Sequence, residues 1–324
     1  MNEQKTKYKE NPPLSPFFKG GVEKSPPLAK EGKGGFKKRN VITITSPAKV
    51  NLALDIVSKR EDGYHNLETI MVPVSLCDYL EIQNIEGERI KILCNNKKLP
   101  MNGRNIINKA VRLLWNEIGE KRGVKINLKK NIPVSAGLGG GSSNGASTLL
   151  ALNKLWGINL SLNRLNGLGV KLGADVPFFI SGKPALAKGI GEDIYPIKIK
   201  RCFWLVIINP GFPVSTSWAY RNFNLALTKK RKNIKKLTSL LKEGKSPVAW
   251  NRYLSNDLES VTLQKFPVLS EMKKLFMEAG ALNALMAGSG SSVFGVFASK
   301  KAAESAYSAL KRRALGNIFL VKNL

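Results

Sequence analysis

Residues 133–147 read PVSAGLGGGSSNGAS. Gly137, Gly139, Gly140 and Gly141 precede Ser142 and Ser143, and a helical run through Leu149, Leu150, Leu152 and Leu155 follows. Glycines let backbone N–H groups turn inward and approach a ligand closely. A helix N-terminus adds unpaired donors and the positive end of a dipole. Together they make an anion cradle, and polyphosphate is the anion that suits it. Ser142 or Ser143 can cap the helix or place a hydroxyl on a phosphate-bound metal. The segment is not GxxxxGK[ST], since it holds no lysine, and not GxGxxG, since the run from Gly137 ends on Ser142.

A second signal is the single histidine of the chain. His65 follows Tyr64 in REDGYHNLETI, so an aromatic plane stands next to a directional hydrogen-bonding edge. With one histidine and three scattered cysteines (Cys77, Cys94, Cys202), neither a His/Cys metal cluster nor a disulfide framework is expected. No serine sits in a GxSxG elbow.

These residues need elements to hold them. Val41–Thr45 are strand formers, Pro47 interrupts, and Val50, Leu52, Leu54 and Ile56 then alternate with Asn51, Ala53 and Asp55. Two strands around a short proline break are predicted. Further strands are expected in DYLEIQNIEG, RIKILCN and GVKINLKKNIP. A helix is expected over 105–119, where Ile106, Ala110, Leu113, Leu114 and Ile118 recur at helical spacing. Another helix is expected near 161–172, followed by LGADVPFFI as a loop. CFWLVIINP, 202–210, is a continuous apolar strand of the kind buried on both faces. Helical patterns then alternate with strands at SSVFGVFA and NIFLV. The class is α+β, with a boundary near 195–200: one domain over 41–198 and one over 199–324.

Residues 1–40 differ from the rest. They are rich in Pro, Gly and Lys, and PPLSPFFKGG and PPLAKEGKGG repeat one frame. Such composition cannot bury enough apolar surface to offset ordering, so a disordered extension is expected. The formal charge is +29. Charge of this size raises the alternative of a basic nucleic-acid-binding protein. The lysines are diffuse, however, and KKRKNIKKLTSLLKEGK, 229–245, reads as a surface helix with a solvated basic face. No specific nucleic acid is expected. No apolar run reaches the roughly 18–20 residues a membrane span needs, and no signal-peptide core is seen, so a cytoplasmic location is expected.

PVSAGLGGGSSNGAS resembles the phosphate loop of the GHMP kinase superfamily. SPAKVNLALDI, from Ser46, resembles its first motif, and LMAGSGSSVFGVF, 285–297, resembles its third, a glycine loop that packs against the phosphate site. All three stand in the family's order. The resemblance implies a two-domain fold with an N-terminal ribosomal protein S5-like α+β domain and a C-terminal α/β sandwich. It implies ATP as co-substrate, with Mg2+, and no dedicated metal site beyond a hydroxyl from Ser142 or Ser143. The ATP-binding stretch would be Pro133, Val134, Ser135, Ala136, Gly137, Leu138, Gly139, Gly140, Gly141, Ser142 and Ser143.

PAKVNLAL, REDGYHNLETI and GADVPFF together are similar to the branch that phosphorylates a cytidine diphosphate-linked methylerythritol in isoprenoid precursor synthesis. That similarity implies Asp175 as the base accepting the hydroxyl proton and Lys49 as the cation beside it. Tyr64 and Tyr220 would clamp the cytosine ring, with Trp218 or Phe212 able to substitute for Tyr220. His65 would read the polar edge of the base, while Asn51 and Thr216 would address the methylerythritol end. A homoserine or mevalonate type of small-alcohol kinase is the nearest alternative.

Overall fold

The computed structural model describes residues 40–225 and 233–324. Residues 1–39 of the expected disordered extension and the first residues of the basic 229–245 run lie outside the described residues.

Eleven strands are present among the described residues. In chain order they are β1 (Val41–Lys59), β2 (His65–Asn84), β3 (Ile90–Cys94), β4 (Val124–Lys129), β5 (Ala185–Lys188) and β6 (Asp193–Pro196), then β7 (Trp204–Asn209), β8 (Ser255–Asn256), β9 (Asn283–Met286), β10 (Val293–Phe297) and β11 (Asn317–Lys322). The helices are α1 (Ile106–Ile118), α2 (Gly140–Leu155), α3 (Leu162–Leu172), α4 (Val176–Ser181), α5 (Thr216–Asn222), α6 (Ile234–Glu243), α7 (Pro247–Trp250), α8 (Glu259–Lys265), α9 (Val268–Glu278) and α10 (Lys300–Lys311).

The first sheet runs β3-β4-β2-β1-β8, with β5 and β6 branching from β2. The second is antiparallel in the order β11-β7-β10-β9. Sheet membership therefore changes after β6. β8 is the exception: it returns from the second half to pair in parallel with Ala53 and Leu54 of β1. Ile56 N–H donates to Asp257 Oδ2 at 2.7 Å just beyond it.

The predicted proline break does not divide β1, which runs unbroken for 19 residues. Pro47 has no N–H to give a ladder, and the β1–β2 register shifts between Pro47 and Ala48. A bulge thus absorbs the proline without ending the strand. The length of β1 lets it feed three separate cores. Ile42 and Ile44 pack under α1–α4, Ala48, Val50 and Leu52 pack between the two sheets, and Leu54 and Ile56 join the core beneath α9 and α10.

LGADVPFFI is also not a plain loop. Val176–Ser181 forms a short helix with Pro177 in its first turn, where a missing N–H costs nothing. Phe178 and Phe179 are buried and anchor it. β5, β6, β8 and β9 were not expected from the sequence. β8 is two residues long, and the others are four each, too short to display a period.

Candidate active site

One cleft of about 910 Å³ gathers the chemistry. Its walls include most of the glycine segment, together with Lys49, Asn51, Tyr64, His65, Asp175, Thr216, Tyr220, Gly288 and Ser289.

The glycine segment leads from β4 into α2. The helix begins after Gly139, whose φ of 68° is left-handed, and no side chain caps it. Neither serine takes the capping position; Ser142 is the third residue of the helix. Its first-turn N–H groups and dipole end therefore face ligand space without a competing side chain. Three backbone bonds hold the loop from three directions. Lys49 N–H donates to Leu138 O (3.0 Å), Ser292 N–H to Ala136 O (3.2 Å), and Val214 N–H to Ser135 O (3.3 Å). The loop between β9 and β10 packs on it directly, as the third motif implies.

The two serines part company. Ser142 lines the cleft. Ser143 is fully buried, and its Oγ accepts from Ser46 Oγ at 2.8 Å. Leu138 is likewise buried behind the loop and does not line the cleft.

Lys49 and Asp175, 126 positions apart in the sequence, meet with Nζ 3.7 Å from Oδ2. Lys49 comes from β1 after the bulge and is nearly buried, while the Asp175 carboxylate is half-exposed. Asp175 occupies the cap position of α4 but makes no capping bond, which leaves its oxygens to the cleft. A relay fixes the lysine: Thr69 Oγ1 donates to Ala53 O (2.6 Å), Asn51 Nδ2 donates to Thr69 Oγ1 (2.8 Å), and Lys49 Nζ donates to Asn51 Oδ1 (2.8 Å). Asn51 is thus a holder of Lys49 as well as a cleft residue.

Toward the other end, the turn joining β1 and β2 presents Tyr64 and His65. Tyr64 is 59% exposed, whereas His65 is buried at 7%. Tyr220, from α5, sets its ring 5.6 Å from the imidazole at a 32° tilt. Tyr220 therefore stands against His65, not face to face with Tyr64. Phe212 and Trp218 pack on Phe266 instead and do not line the cleft, so of these three rings Tyr220 alone lines it. Burial, reinforced by the Lys59 charge, holds the His65 pKa below its usual range, so the ring is neutral at pH 7. Its Nδ1 is buried without a hydrogen-bond partner in the protein. Burial and the Asp175 carboxylate push the Tyr220 phenol upward, so it stays protonated. Thr216 Oγ1 lies 3.0 Å from Ser289 Oγ, joining α5 to the β9–β10 loop.

Sequence reasoning missed one end of the cleft. Leu99, Pro100, Arg104, Asn105, Ile106 and Lys130 line it beside the glycine segment. They come from an irregular stretch, the start of α1 and the residue after β4, and no motif marks them.

Known proteins bear on this arrangement. The GHMP kinases N terminal domain family matches residues 105–183, and the GHMP kinases C terminal family matches residues 232–316. The chain is 42% identical over 277 residues to 4-diphosphocytidyl-2-C-methyl-D-erythritol kinase of Syntrophotalea carbinolica, covering 86% of this chain and 97% of that protein. A crystal structure of 4-(cytidine 5'-diphospho)-2C-methyl-D-erythritol kinase superposes with a TM-score of 0.75 at 34% identity, covering 87% of this chain and 99% of that one. Homoserine kinase from Cytophaga hutchinsonii superposes at 0.71 with 19% identity, over 92% of this chain and 97% of that one, a likeness of fold alone. Matched in order across both halves and along nearly the full length of its relatives, this chain belongs to the GHMP kinases, in the family of the 4-diphosphocytidyl-2-C-methyl-D-erythritol kinases.

Proposed function

We propose that the cleft transfers the γ-phosphoryl group of ATP to the 2-hydroxyl of 4-diphosphocytidyl-2-C-methyl-D-erythritol, with Asp175 as base and Lys49 as the cation at the reacting oxygen. The observation that carries this is the 3.7 Å Lys49–Asp175 pair, which lines the same cleft as an uncapped helix N-terminus and a cluster of aromatic rings.

Phosphoryl transfer through a loose transition state leaves the protein two tasks, alignment and charge stabilisation. The N–H groups at the start of α2 receive the triphosphate. The apolar end near Leu99, Pro100 and Ile106 suits a purine ring. Asp175 Oδ accepts the hydroxyl proton as the oxygen attacks, and Lys49 stabilises the developing alkoxide while keeping the carboxylate ionised. Asn51 and Thr216 address the methylerythritol portion. The hard oxygen of Ser142 fits Mg2+, which takes few protein ligands when it arrives with nucleotide phosphates. Bound there, the ion would neutralise phosphate charge. Ser143, sealed against Ser46, is not among its donors.

Tyr64, His65 and Tyr220 receive the cytidine handle. A coupled assay with this alcohol, homoserine and mevalonate as acceptors, and the product identified by phosphorus NMR, tests the reading. Turnover of homoserine or mevalonate in preference to the cytidyl alcohol removes it.

The two aromatic-end variants divide the cleft. Tyr64→Ala and His65→Ala are expected to raise the KM of the alcohol by about 5- to 150-fold, the equivalent of a lost stack of roughly 1–3 kcal/mol. The KM of ATP should move by less than about threefold. His65→Ala should also lose discrimination between cytidine and uridine versions of the alcohol, since no edge then rewards the right base. Steady-state kinetics with each substrate varied in turn decides; a selective rise in the ATP KM would assign these residues to the donor side.

A further inference from the structure

The mechanism leaves one fully buried carboxylate unused. Asp78, in β2, has no exposed surface. It pairs across the ladder with Ser46, next to the bulge at Pro47. Its Oδ1 accepts from Asn131 N–H (2.7 Å) and Ile132 N–H (2.8 Å), the residues leading into the glycine segment. Its Oδ2 accepts from Lys130 Nζ (2.5 Å) and from Asn144 Nδ2 (2.9 Å), a residue of the second turn of α2. Asn144 Nδ2 also donates to Ser46 Oγ (2.9 Å), which donates in turn to Ser143 Oγ. Lys130 Nζ makes a second bond to Ile132 O at 2.8 Å. One carboxylate therefore grips both ends of the glycine segment, the chain entering it and the helix leaving it. Lys130 and Asn144 line the cleft as well.

We propose that Asp78 is the positioning residue of the ATP loop, setting the span between residue 132 and the first turns of α2 so that the loop donors converge on the triphosphate. The argument is one of geometry and saturation. Four donors from two segments, residues 130–132 and α2, fill both oxygens, and displacing either segment leaves buried donors unpaired, which is costly. Asp78 itself does not line the cleft. Burial drives the Lys130 pKa down, and the Asp78 charge opposes that drop. The role rests on the reading of the glycine segment as the ATP site.

Asp78→Asn replaces Oδ2 by a donor facing Lys130 and Asn144, or removes the acceptor of the two backbone N–H groups. It is expected to raise the KM of ATP by about tenfold or more, the scale on which small misplacements of a site act. The KM of the alcohol should stay within about threefold. Should Asp78→Asn fail to fold, Asn144→Ala tests the same link more gently, since Lys130 and both backbone donors keep Asp78 paired. Its ATP KM is expected to rise about threefold with the alcohol KM unmoved. Equilibrium binding of a non-hydrolysable ATP analogue is measured alongside. An analogue that binds the parent and is lost from the variants supports the role whichever alcohol the parent accepts, which separates it from the substrate assignment. A variant that melts at lower temperature yet keeps the parental ATP KM and analogue affinity overturns it, as does an equal rise in both KM values.

Discussion

Asp175→Asn is expected to lower turnover by about two to four orders of magnitude, the range that a positioned general base contributes. The amide keeps the shape of the side chain, so α4 and its buried Phe178 and Phe179 stay in place. What it loses is the ability to accept a proton and the charge opposite Lys49. Affinity for ATP should change little, because the donors at the start of α2 do not involve Asp175. Single-turnover rates with saturating substrates, set beside ATP-analogue binding, measure the two separately. A variant within a few-fold of the parent in turnover would show that the hydroxyl proton leaves by another route.

Gly137→Ala is expected to lower kcat/KM for ATP by about a hundredfold or more, the cost of an ångström-scale misplacement in a site. Two constraints act on this residue at once. Its φ of 76° lies in the left-handed region, where a side chain is strained. An added Cβ would also stand 1.8 Å from Ala287 O, well inside contact distance and against backbone, which cannot rotate aside. Either the glycine segment or the β9–β10 loop has to move. Since both meet at the phosphate end, either displacement spoils the same donors. Gly141, in the same run, meets nothing within 4 Å of an added Cβ and serves as the comparison. If Gly137→Ala and Gly141→Ala have equal kinetics, close packing of the two loops is not what sets the phosphate site.

Much of the fold was legible in the sequence, because long elements carry periods and the glycine motif carries its own physics. The alternation Val50, Leu52, Leu54, Ile56 marks a strand, and it puts Lys49 and Asn51 among the residues left for the site. What failed did so for nameable reasons. Pro47 reads as a break because local rules do not know that a bulge can take it. α4 reads as loop because six residues around a proline have no period, yet Phe178 and Phe179 make it a helix through burial. The glycine segment announces its chemistry from its residue types alone. The meeting of Lys49 with Asp175 does not, since nothing within either segment refers to the other; only the family resemblance carried by PAKVNLAL and GADVPFF implies it. Asp78 was illegible altogether. It stands in a strand as any aspartate might, and its four partners lie 52 to 66 positions away.

The return of β8 to the first sheet has a consequence for how the chain comes off the ribosome. The edge of β1 is complete once residue 59 has emerged, but its partners at Ser255, Asn256 and Asp257 follow roughly two hundred residues later. At translation speeds of about 5–20 residues per second that edge stays open for about ten to forty seconds. An unpaired strand edge is a template for association with other chains. Asn256 also donates to Met286 O and Gly288 O, each at 2.8 Å, so the same late arrival seats the loop that backs the glycine segment. Nascent chains therefore carry Lys49 and Asp175 before the residues that complete the β1 edge and seat the loop behind the glycine segment have been made.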